Sequence, residues 1–338
     1  MVPEASTQPD GLVVIPCLNE EDHIASVVGI ALRDALAHRL LIVVVDGGSV
    51  DGTRGIVSRL AAEAPNVKIV DNPARIQSAG INLAVQLFGQ GRRWLIRMDA
   101  HAEYPQGYIS QLVAEAERTR ATSVVVSMKA QGRGCFQRAV AVAQNSVIGA
   151  GGSAHRREGL EGFVDHGHHA LFDMERFQAL NGYNEAQSHN EDAEFDVRLS
   201  RAGGQIWLTR ATNVTYFPRA RAKDLYNQYR NYGRGRALTI MRHRTRPKLR
   251  QMLPVAVAPS VLALLATPWL PWAALPALLW LAACMAFGPL LAWRDRSRCA
   301  LAAGYAASIM HLAWSVGFWW AWLEAARPMF KRSPAAAG

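Results

Sequence analysis

Leu40–Thr53 reads LLIVVVDGGSVDGT, and its two halves have opposite characters. Leu40–Val45 is an unbroken run of apolar β-formers, too short for a helix and without the alternation of a half-exposed strand. It stops at Asp46-Gly47-Gly48-Ser49, where glycine and short polar side chains favour a turn. A helical pattern follows over about Thr53–Glu63. A fully apolar strand, a turn and a helix make up the unit of a sheet covered by helices on both faces. The unit recurs on both sides. Upstream, Gly11–Cys17 (GLVVIPC) reads as a buried strand, and Asn19–Asp22 opens a helix pattern reaching about Leu36. Downstream, Val67–Val70, Ile76–Leu87 and Trp94–Met98 read as strand, helix and strand, the last ending at Asp99. The expected fold is α/β with a parallel sheet.

Ligands of such sheets sit beyond the carboxyl ends of the strands. Polar side chains stand there: Asn19 and Glu20 after the first strand, Asp46 after the second, Asp99 and His101 after the fourth. Acids at strand ends suit a nucleotide's base and ribose and a divalent metal on its phosphates. The first strand–helix turn has neither GxGxxG nor GxxxxGK[ST], which argues against dinucleotide and P-loop binding.

The 338 residues suit one large domain or one domain with an appendage. Half the residues are hydrophobic and 19% charged, which excludes a disordered chain. Four scattered cysteines (Cys17, Cys135, Cys284, Cys299) predict neither a disulfide framework nor a zinc site, and a reducing compartment is expected. Charge is partitioned. Residues 1–218 carry 20 Lys+Arg and 24 Asp+Glu, residues 219–252 carry 11 and 1, and residues 253–338 carry 6 and 2. A nucleic-acid binder would spread basic residues over a folded face. Here they precede a long apolar tract, which points to a membrane and not to nucleic acid.

From Met252 to Trp293 no side chain is charged. A helix crosses the hydrocarbon core in about 20 residues, so this tract predicts two spans, 252–268 and 272–293, broken at Pro268-Trp269-Leu270-Pro271-Trp272. Cys299–Leu323 predicts a third. The basic flanks place 219–250 and 294–298 on the cytoplasmic side. Three spans then put Arg327, Lys331 and Arg332 outside, against the charge rule; a re-entrant or interfacial last segment removes the conflict. With no signal pattern at the N-terminus, residues 1–218 are expected to stay in the cytoplasm. The expected division is a catalytic domain over 1–218, a basic membrane-proximal segment over 219–251 and a membrane region over 252–330, multi-pass in a bacterial-type inner membrane.

Four segments in order, Val14–Glu21 (VIPCLNEE), Val45–Thr53 (VDGGSVDGT), Asp99-Ala100-His101 and Asn190-Glu191-Asp192, resemble those of family-2 glycosyltransferases with a GT-A nucleotide-sugar-binding fold. Asn72–Ala79, Met98–Ala102 (MDAHA), Val164–His169 (VDHGHH), Gln228–Arg236 (QYRNYGRGR) and the apolar tail look like the ExoA-type membrane glucosyltransferases of succinoglycan assembly. The resemblance implies transfer of a sugar from a UDP-sugar donor, UDP-glucose by this subgroup, to a lipid-linked saccharide acceptor with inversion. By it, Asp46 accepts from the uracil, Pro16 and Glu20 line the uridine, and Arg75 contacts the diphosphate or starts a helix. Local physics offers Asp46 a second reading as the anchor of its turn.

Asp99 and His101 stand where the family has Asp-x-Asp, implying a metal site for Mn²⁺ or Mg²⁺; the imidazole relatively favours Mn²⁺. Asp192 matches the general base, which takes the acceptor hydroxyl's proton, and Glu191 orients the acceptor. His168, within a cluster with Asp165, His166 and His169, lies near the acceptor wall or packs internally. Gln228, Arg230 and Arg234 fall in a segment that in relatives steadies the leaving diphosphate, although Asn231 replaces the usual Arg. Two other functions fit less of the pattern: a polyprenyl-phosphate glycosyltransferase, whose anionic acceptor needs no base, and a non-catalytic membrane scaffold of a polysaccharide assembly complex.

Overall fold

The computed structural model describes residues 10–153, 156, 159–247 and 249–330. In chain order the elements are β1 (Gly11–Cys17), α1 (Ile24–Leu32), β2 (Leu40–Asp46), α2 (Thr53–Glu63), β3 (Val67–Asp71), α3 (Gln77–Phe88), β4 (Trp94–Arg97), α4 (Tyr108–Thr119) and β5 (Ser123–Ala130). There follow α5 (Cys135–Gln144), α6 (Val147–Ala150), β6 (Gly162–Val164), β7 (His168–Asp173), α7 (Met174–Ala179), α8 (Glu191–Arg201) and β8 (Ile206–Tyr216). The last helices are α9 (Ala222–His243), α10 (Leu249–Val255), α11 (Val257–Leu262), α12 (Leu275–Arg294) and α13 (Ala303–Phe330).

Two compact units result. One holds residues up to Lys129 together with 154–216, the other residues 130–153 and everything from Phe217. The composition shift at 218 therefore falls close to the Tyr216/Phe217 boundary. Residues 130–153, with α5 and α6, group with the C-terminal helices and not with the rest of 1–218.

The first unit is built on a sheet ordered β3-β2-β1-β4-β7-β5-β8-β6. β1 pairs parallel with β2 and β4, and β2 with β3, as the strand–helix alternation implies. The sheet is mixed, however, because β7 inserts antiparallel between β4 and β5. Val13, Ile15, Ile42, Val44 and Ile96 point into one core and Leu12, Val14, Leu41, Val43, Val45 and Leu95 into the other. Burial on both faces is why these strands show no alternation. Register sets Cys17 beside Asp46 and Asp46 beside Asp71, so three strand ends open on one edge.

Among the described residues of the second unit two helices are long and apolar enough to cross a membrane, Pro271–Arg294 and Arg298–Ala326. The expected first span is different. Met252–Ala266 is a shorter apolar segment made of α10, α11 and a 3₁₀ turn, with Pro254 and Pro259 inside it. Proline removes a helical donor and crowds the preceding turn. The freed groups find partners on α13: the Ala258 amide donates to Ser315 Oγ at 2.9 Å, while Ser315 Oγ and Trp319 Nε1 donate to the Val255 carbonyl at 2.9 and 2.8 Å. Cys135 and Cys299 form a disulfide joining α5 to the turn before α13, where the sequence predicted no bridge; Cys17 and Cys284 are free and buried. Their separation of 164 residues hid the pair.

Candidate active site

The turn after β2 closes on itself. Asp46 is fully buried, and its carboxylate accepts from the Gly48 and Ser49 amides, from Ser49 Oγ and from Arg54 Nη1 at 2.6 Å. Burial alone would raise its pKa, but the Ser49 and Arg54 hydrogen bonds outweigh that and hold the carboxyl below its usual range. The turn-anchor reading is therefore built in full. Arg54 also reaches Asp71 at 2.6 Å. Cys17, facing Asp46, is pushed up to about 12 by burial and by that carboxylate, so it is a neutral thiol.

The loop after β1 is stitched to the same turn. The Asn19 amide donates to Ser49 Oγ, the Val50 amide donates to Asn19 Oδ1, and the Glu20 amide donates to Thr53 Oγ1. Pro16, half-buried in β1, is in register with Val45. Arg75 precedes α3 with a left-handed backbone (φ 58°), costing about 1 kcal/mol for a residue with a Cβ. Its guanidinium lies against Gly48, where a Cβ would come within 3.4 Å.

Beyond β4 a second cluster forms around a residue that the sequence reading passed over. Arg97, last in β4 and 7% exposed, pairs with Asp99 at 3.4 Å and with Glu191 at 3.2 Å. Asp99 also accepts from Gln77 Nε2 at 2.8 Å and faces His168 Nε2 at 3.7 Å. Burial would raise Asp99; Arg97, His168 and His101 outweigh it and hold the group ionised, below the carboxylate range. His168 is pushed down to about 4 by burial, against the pull of Asp99, and is neutral at pH 7.

Glu191 and Asp192 open α8 after Asn190, which has a left-handed φ of 59°. The pair is driven apart. Burial raises Glu191 despite Arg97, with the Asp192 charge adding to the rise. In Asp192, His166, His169 and Arg97 together overcome burial and keep the carboxylate ionised. Neighbouring acids with opposite shifts are the pattern of divided acid and base roles.

Asp196, one helical turn after Asp192, anchors the histidines. His166 Nδ1 lies 2.7 Å from its Oδ2 and His169 Nε2 lies 2.8 Å from its Oδ1. If Asp196 accepts both N–H groups, His169 Nδ1 is left to accept from Tyr183 O–H at 2.7 Å, and Tyr183 accepts from Arg97 at 3.5 Å. Thus His169 packs internally, His168 turns to Asp99, and His166 faces Asp192 and Asp196. The signals in the sequence were slight: a charge ending a buried strand for Arg97, and spacing of four from Asp192 for Asp196.

His101 is half-exposed and its Nδ1 lies 3.0 Å from Glu20, which also faces His23 at 3.3 Å. A carboxylate on Nδ1 fixes the tautomer that offers Nε2 as a ligand. Among the described residues no three His, Cys, Asp or Glu side chains group as a complete metal shell. Asp99 with His101 fits an ion that draws its other ligands from phosphate oxygens and water.

The structure thus brings Pro16, Glu20, Asp46, Arg75, Asp99, His101, His168, Glu191 and Asp192 to one unit. Gln228, Arg230 and Arg234 belong to the other, on α9. There Gln228 Nε2 donates to Tyr232 at 3.0 Å and Arg234 pairs with Glu324 at 3.1 Å.

The family model of Glycosyl transferase family 2 matches residues 12–180. Succinoglycan biosynthesis protein ExoA of Rhizobium meliloti (strain 1021) is 50% identical over 316 residues, 93% of this chain and 95% of the relative. The chain belongs to glycosyltransferase family 2. Among solved structures it is similar to the mannosyltransferase PcManGT from Pyrobaculum calidifontis, solved with GDP-Man and Mn²⁺: TM-score 0.57, 20% identity, 93% of this chain and 88% of that one. It is similar also to GalNAc-T7 solved with UDP, GalNAc and Mn²⁺: TM-score 0.50, 16% identity, 68% of this chain and 48% of that one. At such identities the likeness shows the fold, and the α/β sheet of this family-2 glycosyltransferase is of GT-A type.

Proposed function

We propose that this glycosyltransferase is membrane-anchored and inverting, and that it moves glucose from UDP-glucose to a lipid-linked oligosaccharide during exopolysaccharide assembly. The observation that carries the reading is the 50% identity to ExoA across 93% of the chain. The geometry supports it by supplying one ionised carboxylate, Asp192, beside a buried guanidinium that also holds Asp99 and Glu191.

In the proposed step the acceptor hydroxyl oxygen bonds to the anomeric carbon as its proton passes to Asp192. The bond from that carbon to the β-phosphate oxygen breaks on the opposite face, and UDP leaves. Glu191, held by Arg97, orients the acceptor, and neutral His168 is set against Asp99 on that side. Pro16, Glu20 and the Asp46 turn form the uridine wall, and Arg75 beside Gly48 supplies positive charge for the diphosphate. Asp99 and His101 would hold Mn²⁺ or Mg²⁺, which when bound neutralises charge developing on the diphosphate. The basic and apolar C-terminal third would keep a lipid-linked acceptor at high effective concentration.

Membranes containing the chain, given a panel of UDP-sugars and a polyprenyl-diphosphate saccharide, test the reading. UDP-glucose is expected to yield a lipid-linked product longer by one β-linked hexose. Failure of every UDP-sugar to be transferred would overturn it.

A further inference from the structure

A chain of buried polar side chains runs from one end of the opening turns of α8 to the other. Arg97 Nη1 donates to Tyr183 Oη at 3.5 Å, and Tyr183 Oη lies 2.7 Å from His169 Nδ1. His169 Nε2 in turn lies 2.8 Å from Asp196 Oδ1. The Asp196 carboxylate can only accept, so Nε2 carries the proton and Nδ1 accepts from the Tyr183 hydroxyl. Every bond then points from the guanidinium toward the carboxylate, and each polarises the next. Arg97 also meets Glu191 at 3.2 Å, so the chain is tied to α8 at its first residue and at its sixth. Asp192 falls between the two tethers.

The surroundings are apolar. His169, Tyr183 and Asp196 are 1%, 2% and 1% exposed, and Phe172 and Phe195 pack edge to face against both the imidazole and the phenol. A buried polar group that loses its partner here is left unsatisfied, and hydrocarbon of the same shape would fill the space at less cost. The backbone is nevertheless shaped to bring the histidine in. β5 and β7 pair Val124 with Leu171 but Val125 with His169, so Ala170 is an extra residue, a β-bulge. In a regular strand residues two apart share a face, which would put His169 with Leu171. The bulge breaks that count. Ala170 and Leu171 belong to one core, whereas His169 meets Phe172 and Phe195 of the other. Tyr183 is fixed from α3: its amide donates to Asn82 Oδ1 at 2.9 Å, and Asn82 Nδ2 donates to its carbonyl at 2.8 Å.

A bulge and a side-chain clamp that serve a costly polar chain point to placement of α8 and not to stability. Resting on the reading of Asp192 as the base, we infer that Tyr183, His169 and Asp196 are positioning residues for sugar transfer. They hold the first turns of α8 against the sheet, so that the Asp192 carboxylate meets the acceptor hydroxyl at reacting distance. A displacement of about 1 Å in such a group costs about 10²-fold in rate. The uridine wall of Pro16, Glu20 and Asp46 stands instead on β1, β2 and the loop after β1. The chain therefore acts on the chemical step and leaves donor binding alone.

Tyr183→Phe keeps the ring and removes the hydroxyl that joins His169 to Arg97. In the full chain, kcat is expected to fall about 10–10²-fold with UDP affinity unchanged by calorimetry. Asp196→Asn breaks the other end. If the residues act as one unit, the double variant loses no more turnover than the worse single one. Should Asp196→Asn not fold, His169→Gln, which keeps a donor toward Asp196, takes its place in the cycle. A normal kcat in Tyr183→Phe, a parallel loss of UDP affinity, or losses that simply multiply would each overturn the inference. Asp192→Asn separates this from the reading beneath it. Collapse of turnover there beside a normal Tyr183→Phe removes the positioning role alone, whereas near-normal turnover in Asp192→Asn removes the base and the positioning role together.

Discussion

The turn at Asp46 and the cluster at Arg97 both hold a buried carboxylate ionised, and they do it by opposite means. Asp46 draws Gly48, Ser49 and Arg54 from within eight residues of itself. Arg97 gathers Asp99 from its own loop but Glu191 from 94 positions away, and Tyr183 from 86. A local network forms with its own segment; a distant one exists only once the sheet and α8 are in place. Charges of the second kind depend on the whole fold, and removing one partner leaves the others buried without compensation.

Arg97→Met should break the comparison most severely. Asp99 and Glu191 lose their shared cation, so folding stability should fall by about 3–5 kcal/mol and transfer should be lost, read by thermal unfolding and turnover. Stability unchanged by that substitution would mean the cluster is not a unit. Asp192→Asn removes the base but not the counterion. Turnover should drop about 10²–10⁴-fold with UDP affinity nearly unchanged, checked by transfer assay and calorimetry. Near-normal turnover would instead point to a phosphate acceptor that needs no deprotonation. Asp46→Asn tests the local network, where loss of charge-assisted bonds should cost about 2–3 kcal/mol in chemical denaturation and weaken UDP binding.

Glu115 sharpens the contrast because it mixes the two kinds. It pairs with Arg118 three residues on, and also accepts from Trp207 and Thr209 of β8. The Arg118 hydrogen bonds foremost pull its pKa from 4.5 to about 2. Its folded pKa is depressed, so the stability it contributes is complete above about pH 4.5 and is lost as pH falls toward 2. Arg118 is half-exposed, and with screening the contribution is about 2 kcal/mol. Glu115→Gln should flatten acid unfolding over that window, followed by circular dichroism.

Legibility in the sequence divides along the same line. The strands at Gly11–Cys17 and Leu40–Asp46 were readable because burial on both faces writes itself as uninterrupted Val, Ile and Leu. Asp46, Asp99 and Asp192 stood out as acids at element ends: Asp46 closes β2, Asp99 follows β4 and Asp192 lies in the first turn of α8. Arg97 was not, since one charge at the end of WLIR has no periodic signature, and neither was the Cys135–Cys299 pair. The antiparallel β7 escaped because nothing local distinguishes its strand pattern from a parallel neighbour's. What covers α13 was not legible because its composition suits lipid and protein interior equally; Gly233 and Gly317, meeting backbone to backbone, record its contact with α9.

The pairing of Val255 and Ala258 with Ser315 and Trp319 has a bearing on the order of synthesis. A helix broken by proline cannot supply these partners from its own backbone. A nascent chain that has emerged only as far as the proline-broken segment carries polar backbone with nowhere to rest, and stays so until some sixty more residues leave the ribosome. The final helix thus acts as a latch: the proline-broken segment is completed last, and a chain stopped short of Ser315 lacks these partners for Val255 and Ala258.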